Sequence, residues 1–182
     1  MNGFGDRHST IELHPYVVDY NINIFKRQYL SIKTYTILGD FMSIIKHNTK
    51  EKELLARIMR AEAVGEGNLG MLMVGNVVVN RGLADCLTFK NVTTISDVIY
   101  QENQFSGTES PLFFSNPTTA ELNLAERILK GEYYHPATNA LWFYAPASGA
   151  SCKTTWYDQA LSGRYKSHCF YNPDSGVCKQ IH

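Results

Sequence analysis

Two glutamates, Glu62 and Glu66, stand four residues apart in the segment RIMRAEAVGEGNLG, which covers residues 57–70. Neighbouring carboxyl groups of this kind can supply the general acid and the base or nucleophile that break a glycosidic bond. The acid must keep its proton near neutral pH, whereas a free glutamate has a pKa of about 4.3. Raising that pKa to about 6 or 7 takes roughly 3 kcal/mol of preference for the neutral form, which burial beside apolar groups can supply. The surroundings of each glutamate therefore decide which of them can act as an acid.

Glu62 lies on the apolar face of a predicted helix. Residues 48–49 can cap this helix, and steps of three, four and seven residues lead from Leu55 to Ile58, Met59 and Glu62. Residues at these spacings share one helical face. The carboxyl group of Glu62 is therefore expected to point toward the interior of the protein.

Glu66 is flanked by Gly65 and Gly67, where the helix is expected to end, so we expect an exposed carboxylate with an unshifted pKa. The ordinary alternative for both glutamates is structural, because a glutamate near a helix end commonly contacts solvent or an arginine. The residue pattern alone favours this alternative, and Glu62 has three candidate ion-pair partners in Arg57, Arg60 and Arg81.

Helices come first along the chain and strands come late, which is typical of an α+β fold. The second helix is apolar nearly all round over residues 71–79, with Asn76 and Asn80 as a polar seam, so it is predicted to be central and buried. Aromatic residues cluster late in the chain, where they can form core or stack against sugar rings. Beyond the first helix, the patterns predict helices over 69–83, 95–100 and 117–130, and short strands over 140–144 and 165–171.

Residues 1–41 differ from the rest, and the division predicted is an N-terminal extension over 1–41 and a single domain over 42–182. Alternation over 18–24 and β-branched residues over 29–37 predict one or two short strands or a weakly ordered appendage. No catalytic pattern occurs there. Met42 is a possible natural start.

Composition and motifs disfavour several classes of function. Acidic and basic residues balance at 17 each, so no overall charge favours nucleic acid or an anionic membrane. The sequence shows no export signal and no window of about 20 apolar residues. It also lacks a G-x-S-x-G elbow, an H-E-x-x-H motif, a P-loop and a dinucleotide-binding glycine pattern.

Four cysteines allow three pairings into two disulfides, and their spacing does not favour a metal site. The adjacent His168 and Cys169 do not form a nucleophile–base pair by sequence proximity, because such sites assemble across a fold. No metal and no cofactor are therefore predicted. The four cysteines are Cys86, Cys152, Cys169 and Cys178.

Four long segments resemble, in order, the SleB/CwlJ-type cell-wall hydrolases, which degrade the peptidoglycan cortex of bacterial spores. The likeness runs from about Met42 to the C-terminus and is most similar to the CwlJ-like branch, which also lacks a signal peptide and has cysteines at similar places. The segments are LLARIMRAEAVGEGNLGMLMVGNVVVNR, TISDVIYQENQFS, ERILKGEYYHPATNALWFYAP and TWYDQALSGRYKSHCFYNP.

The resemblance implies a lysozyme-like α+β domain that cuts the glycan strand between N-acetylmuramic acid and N-acetylglucosamine during germination. The family's catalytic glutamate, that of the A-E-A segment, falls on Glu62. In the SleB branch, which resembles lytic transglycosylases, one glutamate serves as acid and then as base, so Glu66 is expected only to support it. A muramidase or glucosaminidase using water stays open. So does a glycan-binding or spore-coat structural protein without turnover.

The remaining assignments follow from where a lysozyme-like cleft would lie. Gln104 and Phe105 are expected to line the glycan groove, and Asn80 either orients Glu62 or satisfies a backbone group. The late strands would form the opposite wall through Trp142, Tyr144 and His168, and His168 is expected to be a hydrogen-bonded structural histidine.

Location and partners also follow from the resemblance. It implies an enzyme made in the mother cell without a signal peptide and placed at the spore coat or cortex boundary. The sequence shows no separate peptidoglycan-binding domain and no membrane span, so retention would need a coat anchoring protein or the enzyme's own cleft.

Overall fold

The computed structural model describes residues 43–178 and residue 181; the expectations for residues 1–41 lie outside this part of the chain. Helices precede strands, and none of the described helices is long and apolar enough to cross a membrane. The helices are α1 Thr49–Ala63, α2 Gly67–Ala84, α3 Ile95–Tyr100, α4 Pro111–Phe114 and α5 Thr119–Leu129, and the strands are β1 Trp142–Tyr144, β2 Thr155–Trp156, β3 Gln159–Tyr165 and β4 His168–Asn172.

Helix α1 begins at a capping box and buries the predicted face. The Asn48 side chain accepts from the backbone N–H of Glu51 at 3.1 Å, and the Glu51 carboxylate accepts from the N–H of Asn48 at 3.2 Å. Leu55 and Ile58 are fully buried and pack in one core with residues of α2 and α5. This packing fixes the C-terminal end of α1, where Glu62 lies.

Arg60, on another face of α1, is buried and makes its contacts away from Glu62. It forms an ion pair with Glu121 at 3.0 Å. Its guanidinium also donates to the carbonyls of Leu112, Ser115 and Asn116. Arg60 therefore joins α1 to the segment between α4 and α5, and it is not the ion-pair partner of Glu62 that the sequence left open.

Helix α5 starts two residues later than the sequence predicted. The predicted helix began at Pro117, whereas α5 begins at Thr119 with Thr118 as its cap. The Thr118 hydroxyl accepts from the N–H of Glu121, and the Glu121 carboxylate accepts from the N–H of Thr118. This reciprocal capping box determines where the helix begins.

The strands form one antiparallel sheet in the order β1-β4-β3-β2. The single strand predicted over 165–171 is wrong, because the chain reverses there: Tyr165 pairs with His168 across a tight turn. Lys166, in that turn, has a φ of 47°. Residues 165–171 contain neither glycine nor asparagine, so the sequence does not mark this turn.

Two buried asparagines of α2, Asn76 and Asn80, fasten the long segment between α5 and β1. Asn76 donates to the carbonyl of Glu132 at 2.7 Å and accepts from the N–H of Tyr134 at 3.0 Å. Asn80, fully buried, donates to the carbonyls of Ala137, Thr138 and Ala140 at 3.0–3.1 Å. Asn80 was expected either to orient Glu62 or to satisfy a backbone group, and these contacts support the second role.

The cysteines form two disulfides, which selects one of the three possible pairings. Cys86, just after α2, bonds to Cys178 near the C-terminus. Cys152, in the loop before β2, bonds to Cys169 in β4. Both crosslinks attach loops that flank the sheet to the interior of the domain.

Candidate active site

Glu62 lies in the last turn of α1, and its carboxyl group is held by one backbone donor. The N–H of Gly107, in the helical turn Ser106–Glu109, donates to Glu62 Oε1 at 2.6 Å. Burial raises the pKa of Glu62, although the Gly107 hydrogen bond and the positive charge of Arg81 act in the opposite direction. The predicted inward orientation is observed, and the raised pKa favours the protonated form that a general acid requires.

Because Gly107 has no side chain, the Glu62 carboxyl group can occupy the space beside its Cα atom. A Cβ atom at position 107 would lie 2.6 Å from Glu62 Oε1 and 3.1 Å from the Cβ of Ala61. The shorter distance is well inside van der Waals contact, and the carboxyl group is the more movable neighbour. Gly107 could not be singled out from the sequence, because Glu62, the residue to which it donates, lies 45 residues earlier in the chain.

Replacing Gly107 with alanine is therefore expected to leave the fold intact and to displace the Glu62 carboxyl group. A displacement of about 1 Å in a catalytic group can cost on the order of 100-fold in rate, so we expect kcat to fall about 10- to 100-fold. Initial rates of glycan release, together with the melting temperature, measure the two effects separately.

Gly65→Ala provides the matched control, because a Cβ atom at position 65 would meet nothing within 4 Å. This variant is expected to retain wild-type rates. A wild-type kcat in a folded Gly107→Ala variant would show that catalysis does not depend on the position of the Glu62 carboxyl group beside Gly107.

Arg81 is the positive charge that acts on Glu62. It is almost fully buried in α2, and its Nε donates to the carbonyl of Leu141 at 2.7 Å. The guanidinium lies 4.7 Å from the ring centre of Phe105, two residues before Gly107. The segment 105–107 thus contacts both Arg81 and Glu62. A cation near the acid stabilises the carboxylate left after proton donation.

Glu66 is neither exposed nor unshifted, contrary to expectation. Helix α1 ends at Ala63, and a short 3₁₀ turn over Val64–Glu66 redirects the chain before α2. The Glu66 carboxylate accepts from the hydroxyl and the backbone N–H of Ser167, in the turn between β3 and β4. Lys166 Nζ donates to the carbonyl of Glu66. Glu66 therefore fastens the α1–α2 corner to the sheet.

These contacts determine the charge state of Glu66. Burial alone would raise its pKa, but the two Ser167 hydrogen bonds and the charges of His168 and Lys166 outweigh burial and lower it. A carboxyl group with a lowered pKa does not hold a proton near neutral pH. Glu62 and Glu66 thus have pKa values shifted in opposite directions.

Glu66→Gln is expected to lower the melting temperature at neutral pH. Because folding lowers the Glu66 pKa below 4.5, its carboxylate stabilises the folded state above that pH, and the stabilisation disappears as pH falls through the folded pKa. The difference in melting temperature between wild type and Glu66→Gln should therefore shrink between about pH 5 and pH 3. A difference that stays constant over this range would rule out the Ser167 contacts as its source.

Gln104 and Trp142 line the same cavity, of about 540 Å³, as do Arg81 and two aromatic residues of the β2–β3 hairpin, Trp156 and Tyr157. Glu62 is not among the lining residues. Trp156 and Tyr157 belong to the late cluster of aromatic residues that was expected to form core or stack against sugar rings, but neither was predicted as a site residue. Arg81 had been considered only as an ion-pair partner.

The other predicted groove residues have more interior positions. Phe105 is buried beneath the Arg81 guanidinium, and Tyr144 packs on Trp156 and Tyr171 with ring centres 4.8 and 5.8 Å apart. His168 is 7% exposed and meets Phe143 edge to face.

His168 was expected to be a hydrogen-bonded structural histidine, and the described part of the structure gives no such bond at its Nδ1. This atom is buried and has no partner among the described residues. Burial lowers the pKa of His168, against the opposing effect of the Glu66 charge. The neutral imidazole therefore fits its largely aromatic surroundings.

Comparison with known proteins identifies the family. The model of the family described as Cell Wall Hydrolase matches residues 65–171, a span that contains Glu66 and begins three residues after Glu62. The chain is 48% identical to the cell wall hydrolase CwlJ of Oceanobacillus iheyensis over 141 residues, which are 77% of this chain and 99% of that protein. It is 39% identical to the protein of the same name from Bacillus subtilis, over 78% of this chain and 98% of the relative.

Solved structures share the fold. The catalytic domain of the germination-specific lytic transglycosylase SleB from Bacillus anthracis superposes with a TM-score of 0.55 at 22% identity, covering 69% of this chain and 97% of that domain. The catalytic domain of SleB from Bacillus cereus gives 0.56 at 21% identity, covering 72% and 96%. The lysozyme-like α+β fold is thereby confirmed. The chain belongs to the cell wall hydrolase family, of the SleB/CwlJ type, and is a cell-wall hydrolase.

Proposed function

We propose that this enzyme cleaves the glycan strands of spore-cortex peptidoglycan between N-acetylmuramic acid and N-acetylglucosamine during germination, with Glu62 as its single acid and base. The observation that carries the proposal is the state of the Glu62 carboxyl group. It is half-buried, its pKa is raised by that burial, and one of its oxygens is held by the Gly107 N–H.

Proton donation starts from the oxygen that Gly107 does not bind. In a protonated carboxyl group the carbonyl-type oxygen is the better acceptor for the backbone N–H, so the acidic proton resides on Oε2. That proton passes to the oxygen that leaves as O4 of N-acetylglucosamine, while positive charge develops on the muramyl ring and the C1–O4 bond breaks. The charge of Arg81 stabilises the resulting Glu62 carboxylate.

The carboxylate then acts as the base. It takes a proton either from the muramyl C6 hydroxyl, whose oxygen closes a 1,6-anhydro ring on C1, or from a water molecule that attacks C1. Both routes return Glu62 to its protonated state. Engagement of Glu66 by Ser167 supports the view that it is not a second catalytic carboxylate. We favour the anhydro route because it needs one carboxyl group only.

The cellular setting is part of the proposal. Relatives named CwlJ and a neighbour described as germination-specific support action on the spore wall. We place the enzyme at the boundary of coat and cortex, made in the mother cell, where a coat protein anchors it. Fractionation of spores, followed by detection of the enzyme with and without removal of the coat, tests this placement.

Digestion of purified spore cortex followed by mass spectrometry tests both bond and route. Anhydro-muramic ends, lighter by one water than reducing ends, are expected. Reducing muramic ends would replace the anhydro route with hydrolysis at the same bond. Reducing N-acetylglucosamine ends, or no glycan cleavage, would overturn the proposed bond.

A further inference from the structure

A buried cation with an unused donor forms part of the wall of the 540 Å³ cavity. Arg81 is only 3% exposed. Its Nε is bonded to the carbonyl of Leu141, and its guanidinium lies between the rings of Phe89 and Phe105, with distances of 4.9 and 4.7 Å to the ring centres. Its buried Nη1 has no hydrogen-bond partner in the part of the chain that the structure describes.

An unpaired buried cation is costly, because burial removes the water that would solvate the charge. Burial lowers the pKa of Arg81 to about 9, and among the described residues only Glu62 opposes this shift. Glu62 acts from a distance, since no described carboxylate forms an ion pair with Arg81. A guanidinium that lines a cavity with a free donor is suited to an oxygen acceptor that arrives with a ligand.

The remaining walls carry side chains of types that suit contact with a sugar. Trp142 and Trp156 present indole rings on which the apolar face of a pyranose can pack. Three amide side chains, which can bond to hydroxyl and acetamido groups, complete the lining: Asn103, Gln104 and Gln159.

Tyr157 occupies a strained position at the edge of this cavity. It and Asp158 form the two-residue turn between β2 and β3, with φ values of 48° and 61°. Such turns favour asparagine or glycine, and a bulky aromatic residue at positive φ is uncommon. Its side chain is 78% exposed and stands beside Trp156, with ring centres 4.9 Å apart. Strain of this kind, without compensating burial, is typical of a residue placed for binding.

We propose that this cavity is a subsite for an N-acetyl sugar that carries a lactyl group, in which the ring packs on Trp142, Trp156 and Tyr157 and the lactyl carbonyl oxygen accepts from Arg81. This assignment deepens the proposed function, because the lactyl group distinguishes muramic acid from glucosamine along the glycan. Arg81 would then determine which sugar of the strand lies in this cavity, in addition to its electrostatic effect on Glu62.

Intrinsic fluorescence provides a direct probe, since the chain has two tryptophans and both line the cavity. The full chain is titrated with three monosaccharides: N-acetylmuramic acid, its methylamide and N-acetylglucosamine. Saturable quenching is expected with the two lactyl sugars, with N-acetylglucosamine binding at least tenfold more weakly. The tighter of the two lactyl sugars shows whether Arg81 prefers a carboxylate or an amide carbonyl. Equal binding of all three, or no quenching, would overturn the assignment.

Two variants separate binding from folding. Tyr157→Asn places a favoured residue at positive φ, so the variant should fold at least as well as wild type while N-acetylmuramic acid binds about tenfold more weakly. Arg81→Lys keeps the charge but loses the planar donor set, so it should reduce the preference for lactyl sugars over N-acetylglucosamine. Unchanged affinity in Tyr157→Asn would overturn the subsite even if Arg81→Lys folds poorly.

The outcome is independent of the catalytic proposal. Cleavage activity in Glu62→Gln would overturn the role of Glu62 and leave the monosaccharide titrations unaffected. Conversely, absence of any lactyl preference in the wild-type enzyme, with intact cleavage, would overturn only the subsite.

Discussion

Glu62→Gln is expected to lower the rate of glycan cleavage by about 10³-fold or more, with the fold unchanged. General acid catalysis alone contributes about 10²- to 10⁴-fold, and here the same group also serves as the base. Glutamine has the same shape, and its carbonyl oxygen can still accept from the Gly107 N–H, so the local structure should persist. The rate of muropeptide release from purified cortex measures the loss, and circular dichroism verifies the fold.

Glu66→Gln is the matched control, because it is the same change four residues along the chain. Its expected effect falls on stability through the Ser167 contacts, so its cleavage rate should stay within a few-fold of wild type. Equal losses of several hundredfold in both variants would point to a two-carboxylate mechanism. Retained cleavage in Glu62→Gln would remove Glu62 from the chemistry.

Loss of the Cys86–Cys178 disulfide is expected to be the largest effect on stability. A crosslink that spans 92 residues limits the unfolded chain more than one that spans 17. On the chain-entropy estimate, replacing both cysteines with alanine should lower the free energy of unfolding by about 4.5 kcal/mol for the longer loop and about 3 kcal/mol for the shorter. Domains of this kind are stable by about 5–15 kcal/mol in total, so the first loss is severe.

Urea denaturation of the two double variants, each with the other disulfide intact, measures which disulfide contributes more to the free energy of unfolding. The Cys152–Cys169 pair serves as the internal comparison, since its removal deletes the same atoms from a shorter loop. A larger loss for that pair would mean that its contacts in β4, beside His168, outweigh loop entropy.

The position of Glu62 could be predicted from sequence because it depends on local periodicity. Leu55, Ile58 and Met59 are buried as the helical spacing predicted, and Glu62 follows them on the same face. Glycosidic chemistry could not be read from that spacing, because an inward glutamate is equally suited to an ion pair. The family resemblance supplied that part.

The surroundings of the two glutamates could not be predicted, because each depends on contacts between distant residues. Gly107 reaches Glu62 across 45 residues, and Ser167 reaches Glu66 across 101. The turn at Lys166 that brings Ser167 to Glu66 carries no glycine, so the pattern over 165–171 indicated a continuous strand. The expectation of an exposed Glu66 was wrong for the same reason.

The raised pKa of Glu62 also predicts how activity depends on pH. A general acid must be protonated, so the rate should fall as pH rises through the Glu62 pKa, which lies above the ordinary 4.5. Only Arg81 among the charged groups of the described chain lowers this pKa appreciably, beside the Gly107 hydrogen bond. Glu62 is therefore expected to act as a protonated general acid, and Glu66 is expected to be an ionised structural neighbour.

Titration of the two side-chain carboxyl carbons by NMR, with the enzyme labelled at glutamate, tests this distinction most directly. Assignment of the two signals comes from Glu62→Gln and Glu66→Gln. The account predicts that Glu62 titrates above 4.5, together with the alkaline fall in activity, and that Glu66 titrates below 4.5. A Glu62 carboxyl group that titrates at or below 4.5 would contradict its role as the acid.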